Sequence, residues 1–357
     1  SFPPLQRRDG IFINYWKNKL TVEEYVSLFI PNNLMYMQAY ETMLSTGKYP
    51  NDNSGDLLLK NIEDRLKYEI ILEYGLMSRI GRTLEKTCSS TLSFDNEKII
   101  ESAKNVKLII NNEENALNDI GESVFQQLIV SMLNRIKYNG AFNDETFAFY
   151  LQNGGNDYFL TNDFRKWMPG KSASRNIPEF LYKNTGLMTK TNKNFCDIRS
   201  SSSKYITDIL SLLPLGTTPA IAQILFEKII EQLVKNDVLS EIKTNNDSVV
   251  YAINTKTVKV VNNVSNFLCD DCGQSYSFSK DNSIFWNNNL CPSNNCYGRL
   301  KEDTEEFSDY YHNLYNYGDI KRIVSKEHTG LLSRSSREGI EKEFKHKKEE
   351  VKPKPAR

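Results

Sequence analysis

Four of the chain's six cysteines fall in one stretch, CDDCGQSYSFSKDNSIFWNNNLCPSNNC, from Cys269 to Cys296. Such pairs serve a metal site, a redox dithiol or a disulfide staple. Cys269 and Cys272 have two residues between them and Gly273 follows; a tight turn there aims two thiolates at one point and often needs a positive φ. Cys291 and Cys296 form a looser pair with Pro292 and Gly298 to bend the chain. The 18 residues between the pairs match a short β-hairpin, for which YSFS and SIFW supply aromatic and β-branched strand material. A redox CxxC sits at a helix start in a βαβ setting, which is missing, and a disulfide needs an oxidising compartment. The pattern therefore reads as a zinc ribbon with Zn2+ held by Cys269, Cys272, Cys291 and Cys296. Four cysteines leave no coordination position for a water nucleophile, so the metal is expected to be structural. Cys88 and Cys196 are expected to be unpaired and inert.

Other groups offer less. MPGKSASR holds Gly170, Lys171 and Ser172, the end of a phosphate-binding loop, but Arg165 stands where that loop needs its first glycine. No DExH or DExD carboxylate pair is present to hold Mg2+. The chain is not expected to hydrolyse ATP by itself. His312, His328 and His346 are far apart and none has an obvious nucleophile, so exposed or capping roles are expected and no catalytic residue is assigned. Glu305 and Glu306 read as a solvated helix face.

The elements that position the cysteines form a mainly α chain with small β elements. In 357 residues, 45 basic and 45 acidic side chains cancel, so bulk charge does not draw the molecule to nucleic acid and any such affinity must be local. No apolar run approaches the roughly 20 residues of a membrane helix, and SFPPLQRRDG has no signal-peptide core. A cytoplasmic protein without a membrane partner is expected. Residues 1–140 read as a helical domain: Leu117, Ile120, Val124, Leu128, Met132 and Ile136 recur at helical spacing, while Gly75 and Gly81 suggest a helix end or close crossing. Residues 141–204 read as an irregular connector ordered by its neighbours. In residues 205–262, YITDILSLLP precedes a second helix that Thr218 can cap and Pro219 can start; LSEI and SVVYAI then form a hairpin. That order suggests a winged-helix domain. The ribbon occupies 263–302, an aromatic helix opens 303–345, and the Lys-, Glu- and Pro-rich 346–357 read as a disordered tail.

A winged helix invites a DNA reading through its second helix. Lys228 and Lys235 are the candidate contacts there, but Glu227 and Glu231 neutralise the same helix. A packing module or strand-separating wedge fits at least as well as sequence readout. Tyr310, Tyr311, Tyr315 and Tyr317 either stack on bases or form a packed helix face.

The segment RIVSKEHTGLLSRSSREGIEKEFK resembles the start of the second RecA-like motor domain of superfamily 2 DEAD/DEAH-box helicases. The resemblance rests on a strand, a histidine-bearing stretch and a helix of form RxxIExxF, here Arg337, Ile340, Glu341 and Phe344. A four-cysteine ribbon followed by EHTGLL, Glu327 to Leu332, is similar to the arrangement in large bacterial helicases of phage defence and DNA repair. GLMSRIGRTLE, Gly75 to Glu85, also resembles part of the helicase insert. The phosphate-binding loop, the DEAH-type carboxylates and the later motor motifs are absent. The resemblance thus implies a non-catalytic insert between the motors of an ATP-dependent DNA helicase, with residues up to 345 starting the second motor. It implies single-stranded or forked DNA, the remaining motor domains and defence-complex subunits as partners. ATP and Mg2+ would bind only the parent protein, and Arg334 and Arg337 join the lysines as candidate nucleic-acid contacts. The alternative is a protein-binding adaptor built on a winged helix and a structural ribbon.

Overall fold

The computed structural model describes residues 38–39, 42, 52–76, 83–113, 117, 119–168, 177–183, 195–200, 203–214, 216–245, 248–305 and 307–317. The chain divides into two compact units, Ser1–Gly318 and Asp319–Arg357, and all the described residues belong to the first.

Helix α1 (Asn53–Ile71) begins where the Asp52 carboxylate accepts from the backbone N–H groups of Ser54 and Gly55, each at 3.0 Å. It runs into a π-helical turn, Leu72–Leu76, which ends where Gly75 meets another element. A Cβ on Gly75 would lie 2.8 Å from the Lys137 carbonyl oxygen, so the close crossing suggested by that glycine is real.

Helices α2 (Asn96–Glu113) and α3 (Glu122–Tyr138) pack against each other. Leu117 and Ile120 are buried but lie ahead of α3, whose capping position is Gly121. Within α3, Phe125, Leu128, Ile129, Val130, Met132, Leu133 and Ile136 are all buried. A surface helix shows one apolar stripe, whereas a helix covered on several sides is apolar on more than one. The covering elements are α2, the π turn, α5 (Lys204–Leu212), strand β6 (Val249–Asn254) and a 3-10 turn at Lys280–Phe285. Each such Leu, Ile or Phe contributes about 1.5–3 kcal/mol by leaving water, which makes α3 the axis of the unit.

Strand β1 (Thr91–Phe94) pairs antiparallel with β7 (Val258–Val261). A five-stranded sheet is built around β6. Strand β5 (Leu239–Lys243) lies along one edge of β6, antiparallel, with Ile253 opposite Leu239. The other edge is shared by β3 (Phe180–Lys183), antiparallel, and β2 (Phe142–Asn143), parallel; β4 (Phe195–Asp197) pairs parallel with β3. The stretch read as an irregular connector thus donates β2, β3 and β4, together with α4 (Ala148–Gln152) and 3-10 turns. Arg165, in place of a phosphate-loop glycine, spreads its guanidinium over the rings of Phe149, Phe164 and Trp167 at 5.5 to 5.7 Å. Gly170, Lys171 and Ser172 lie outside the described residues.

Helix α6 (Pro219–Lys235) starts as its sequence suggests, with Thr218 Oγ1 accepting from the Ile221 N–H and proline in the first turn. It follows α5, and the β5–β6 hairpin follows it. The helix–helix–hairpin order is therefore present, with the hairpin merged into the larger sheet. Among the described residues no helix is long and apolar enough to cross a membrane.

Candidate metal centre

The ribbon is a three-stranded antiparallel sheet in which β8 (Val264–Cys269) lies between β9 (Ser275–Ser279) and β10 (Leu300–Asp303). YSFS lies in β9, as its residues suggest. SIFW does not form a strand: residues 280–285 make the 3-10 turn and Trp286 caps it. The reason is lateral packing. Trp286 lies flat on Phe278 with centroids 3.7 Å apart and planes at 4°, and Phe285 is buried, an arrangement a continued strand would pull apart. The third strand comes instead from the residues after the last cysteine.

Strand β8 delivers Cys269 at its end, and the chain then turns through Asp270–Gly273. Gly273 sits at φ +67° and donates its N–H to the Cys269 carbonyl at 3.0 Å. The second turn holds Asn295 at φ +65°, a conformation asparagine accepts more readily than most residues. The Cys291 N–H donates to the Gly298 carbonyl at 3.0 Å. Asp270 ties the two turns together: its N–H donates to the Arg299 carbonyl at 3.0 Å and its Oδ1 accepts from the Arg299 N–H at 2.7 Å.

These turns bring the four sulfurs of Cys269, Cys272, Cys291 and Cys296 within 4.8 Å of one another. Two separations are 3.6 Å (Cys269 to Cys296) and 3.7 Å (Cys272 to Cys291). A zinc–sulfur bond of about 2.3 Å in a tetrahedron requires sulfur–sulfur edges of about 3.8 Å, whereas a disulfide requires about 2.05 Å. The four thiols can thus hold one zinc ion. Cys269, Cys291 and Cys296 are buried and Cys272 is exposed.

The surroundings act on the thiols unequally. Burial opposes ionisation of Cys269, but backbone N–H groups of Cys272 and Asp271 outweigh it and hold this thiol below its ordinary value. Burial pushes Cys291 well above the usual thiol range, although the Tyr276 hydroxyl lies 3.3 Å from its sulfur. A divalent cation would ionise all four. Cys88 and Cys196 stand apart from the cluster; burial raises both, Cys196 to about 11, which disfavours the reactive thiolate at neutral pH.

Gly298, which the sequence marks only as a bend, packs directly on this centre, and two residues that sequence reasoning did not single out, Asn289 and Asn282, fasten the ribbon around it. A Cβ on Gly298 would lie 2.6 Å from Cys269 Sγ and 2.5 Å from Asp271 Cβ. Gly298→Ala is therefore expected to displace Cys269 and weaken zinc binding by tenfold or more, a loss of at least about 1.4 kcal/mol. Chelator competition on the purified variant would measure it. Asn289, completely buried in an NNN run that reads locally as a polar turn, accepts from Ser131 Oγ on α3 at 3.2 Å and donates Nδ2–H to the Gln127 and Phe285 carbonyls, both at 3.1 Å. Asn282 pairs with the backbone of Phe94 in both directions, each at 2.9 Å, joining the ribbon to β1. Only partners distant in sequence reveal either role.

The remaining candidates are dispersed. Lys228 faces Glu231 at 3.6 Å, Lys235 is exposed near the α6 C-terminus, and Glu227 faces Lys183 at 3.6 Å. Helix α6 packs on α2 and α5, and Asn236 just beyond it donates to Ser102 Oγ at 2.8 Å. Arg334 and Arg337 lie outside the described residues, as do His328 and His346. His312 is in α7 (Tyr310–Tyr317), where its Nδ1–H donates to the Thr87 carbonyl at 2.8 Å. Tyr311 packs on the core, whereas Tyr310 and Tyr317 are exposed. No family model, no curated protein and no solved structure matches this chain.

Proposed function

We propose that this chain is a non-catalytic, zinc-braced insert of an ATP-dependent DNA helicase, which engages nucleic acid while motor domains of the parent supply ATP hydrolysis. The observation that carries the bracing role is the double fastening of the ribbon. Four thiols converge inside it, and Asn282 and Asn289 bind it to β1 and α3 outside it. Zinc cross-links a small element that lacks a large core of its own. A ribbon held in this way transmits force between a helical body and a neighbouring motor without bending. The helicase assignment is supported by the order of ribbon, EHTGLL and RxxIExxF in the sequence.

Fluorescence anisotropy with single-stranded and forked DNA, across a salt series, tests the nucleic-acid role. With about three phosphate contacts, affinity should fall roughly twentyfold to fortyfold between 50 and 200 mM salt. Replacing Lys228 and Lys235 together by glutamine should lower the slope. Absence of binding on every substrate, with zinc retained, rejects the role. It would favour the second reading, a protein-binding adaptor with a winged-helix module, which the pairing of α6 charges with neighbouring side chains supports.

A further inference from the structure

A second site lies beside the zinc ribbon and is separate from the thiol tetrahedron, although Cys291 reaches its edge. It is a cavity of about 360 Å³ between α3 and the ribbon, within the size range of small-molecule sites. Tyr138, Tyr276 and Trp286 supply aromatic wall, and Asn134, Gln274 and Asn294 supply amide groups.

Two charge pairs around it are already committed. Glu85 accepts from Lys137 Nζ and from Thr91 Oγ1, both at 2.6 Å. Asp208 Oδ2 takes two N–H groups of Arg135, at 2.9 and 2.6 Å, and Arg135 also donates to Asn294 Oδ1 at 3.2 Å. Lys86, exposed at the rim, is the other charged lining residue. Apart from a contact with Lys86 at the rim, an anion entering the cavity would have to displace Asp208 from Arg135, and a cation would have to displace Lys137 from Glu85. Breaking the buried Glu85–Lys137 pair is expensive, and the half-buried Asp208 is held by Lys204 as well as Arg135. A neutral ligand meets no such penalty. Side-chain amides place a donor beside an acceptor, as the edges of nucleobases do, and aromatic walls suit a flat ring. Gln274 Oε1 and Asn294 Oδ1 each already take one hydrogen bond, from Tyr276 at 2.8 Å and Arg135 at 3.2 Å, and an amide oxygen can accept a second.

We infer that this cavity binds one nucleobase, either as a free nucleoside or unstacked from a single strand. The strand source rests on the nucleic-acid reading above; the free nucleoside does not. The test is calorimetric titration of the zinc-loaded full chain with adenosine, guanosine, cytidine, uridine and thymidine, with ribose and inorganic phosphate as controls. Saturable binding of at least one nucleoside is expected, with ribose and phosphate silent. Asn294→Ala, which removes one amide, and Ser293→Phe, which fills the cavity from its rim, should each weaken that binding by tenfold or more with zinc stoichiometry unchanged. Absence of nucleoside binding up to about 5 mM, enough to reveal millimolar affinity, overturns the inference. Equal binding of ribose or phosphate, or nucleoside binding unchanged in both variants, overturns it as well. An oligonucleotide with one abasic position then separates the sources. Weaker binding than the intact strand identifies a strand base, and equal binding identifies the free nucleoside, whatever becomes of the helicase reading.

Discussion

Replacing Cys296 by serine is expected to lower zinc affinity by roughly a hundredfold and to unfold the ribbon at zinc concentrations that saturate the parent chain. A structural site of four ligands provides about 10–16 kcal/mol of apparent binding energy, so one ligand's share is about 3 kcal/mol. Cys296 is buried, leaving little room for water to take its place. Cys272→Ser should cost less, because this position is exposed and water can complete the tetrahedron. Competition with a chromophoric chelator would measure both variants. Cobalt substitution would show tetrahedral thiolate absorption in the parent chain and a weakened band in Cys296→Ser. Unchanged affinity in Cys296→Ser would mean that the ligand set is wrong. Since the ribbon is fastened to α3 and β1, its loss should also lower the melting temperature of the helical body.

The second large effect is expected at Glu85, in a segment whose sequence gave no chemistry. Its carboxylate is 2.6 Å from the ammonium of Lys137, and both residues are buried. Glu85→Ala leaves that ammonium without its partner, which should cost about 3–5 kcal/mol at pH 7. The melting temperature should fall by roughly 5 °C. Glu85→Leu combined with Lys137→Met removes both charges and should recover most of the loss. Burial lowers the Lys137 pKa from its ordinary value, with Glu85 acting in the opposite sense. Between the folded value and the ordinary value near 10.4, the unfolded chain binds more protons, so this residue makes stability rise with pH. Without Glu85 the folded value drops further, and the lysine is neutral over more of that window. The deficit of Glu85→Ala should therefore shrink between pH 7 and pH 10 in urea titrations. A constant deficit would show that the lost hydrogen bond with Thr91, rather than the unpaired charge, carries the cost.

Legibility in the sequence followed the range of the interactions concerned. Thr218 and Pro219 announce the start of α6 because a cap is made within three residues. LSEI and SVVYAI announce β5 and β6 through strand-forming composition. SIFW has the same kind of composition but turns, since its aromatic residues are decided by stacking on Phe278. Likewise β3 is legible only once β6 is there to pair with it, and β4 only once β3 is.

The sequence by itself determined that four thiols, carried on two sharp turns, can be drawn to one point. Cysteine identity, short spacing and Gly273 are local properties, and the turn geometry they allow is local too. Tertiary structure alone decided how that point is used. It set sulfur separations close to a tetrahedral edge, seated Gly298 against Cys269, and fastened the ribbon through Asn282 and Asn289 to elements more than 150 residues earlier. It also buried Lys137 against Glu85 and left a polar cavity whose charges, Lys86 apart, are paired. Those features depend on contacts between distant segments, whose energies a single stretch of sequence does not contain.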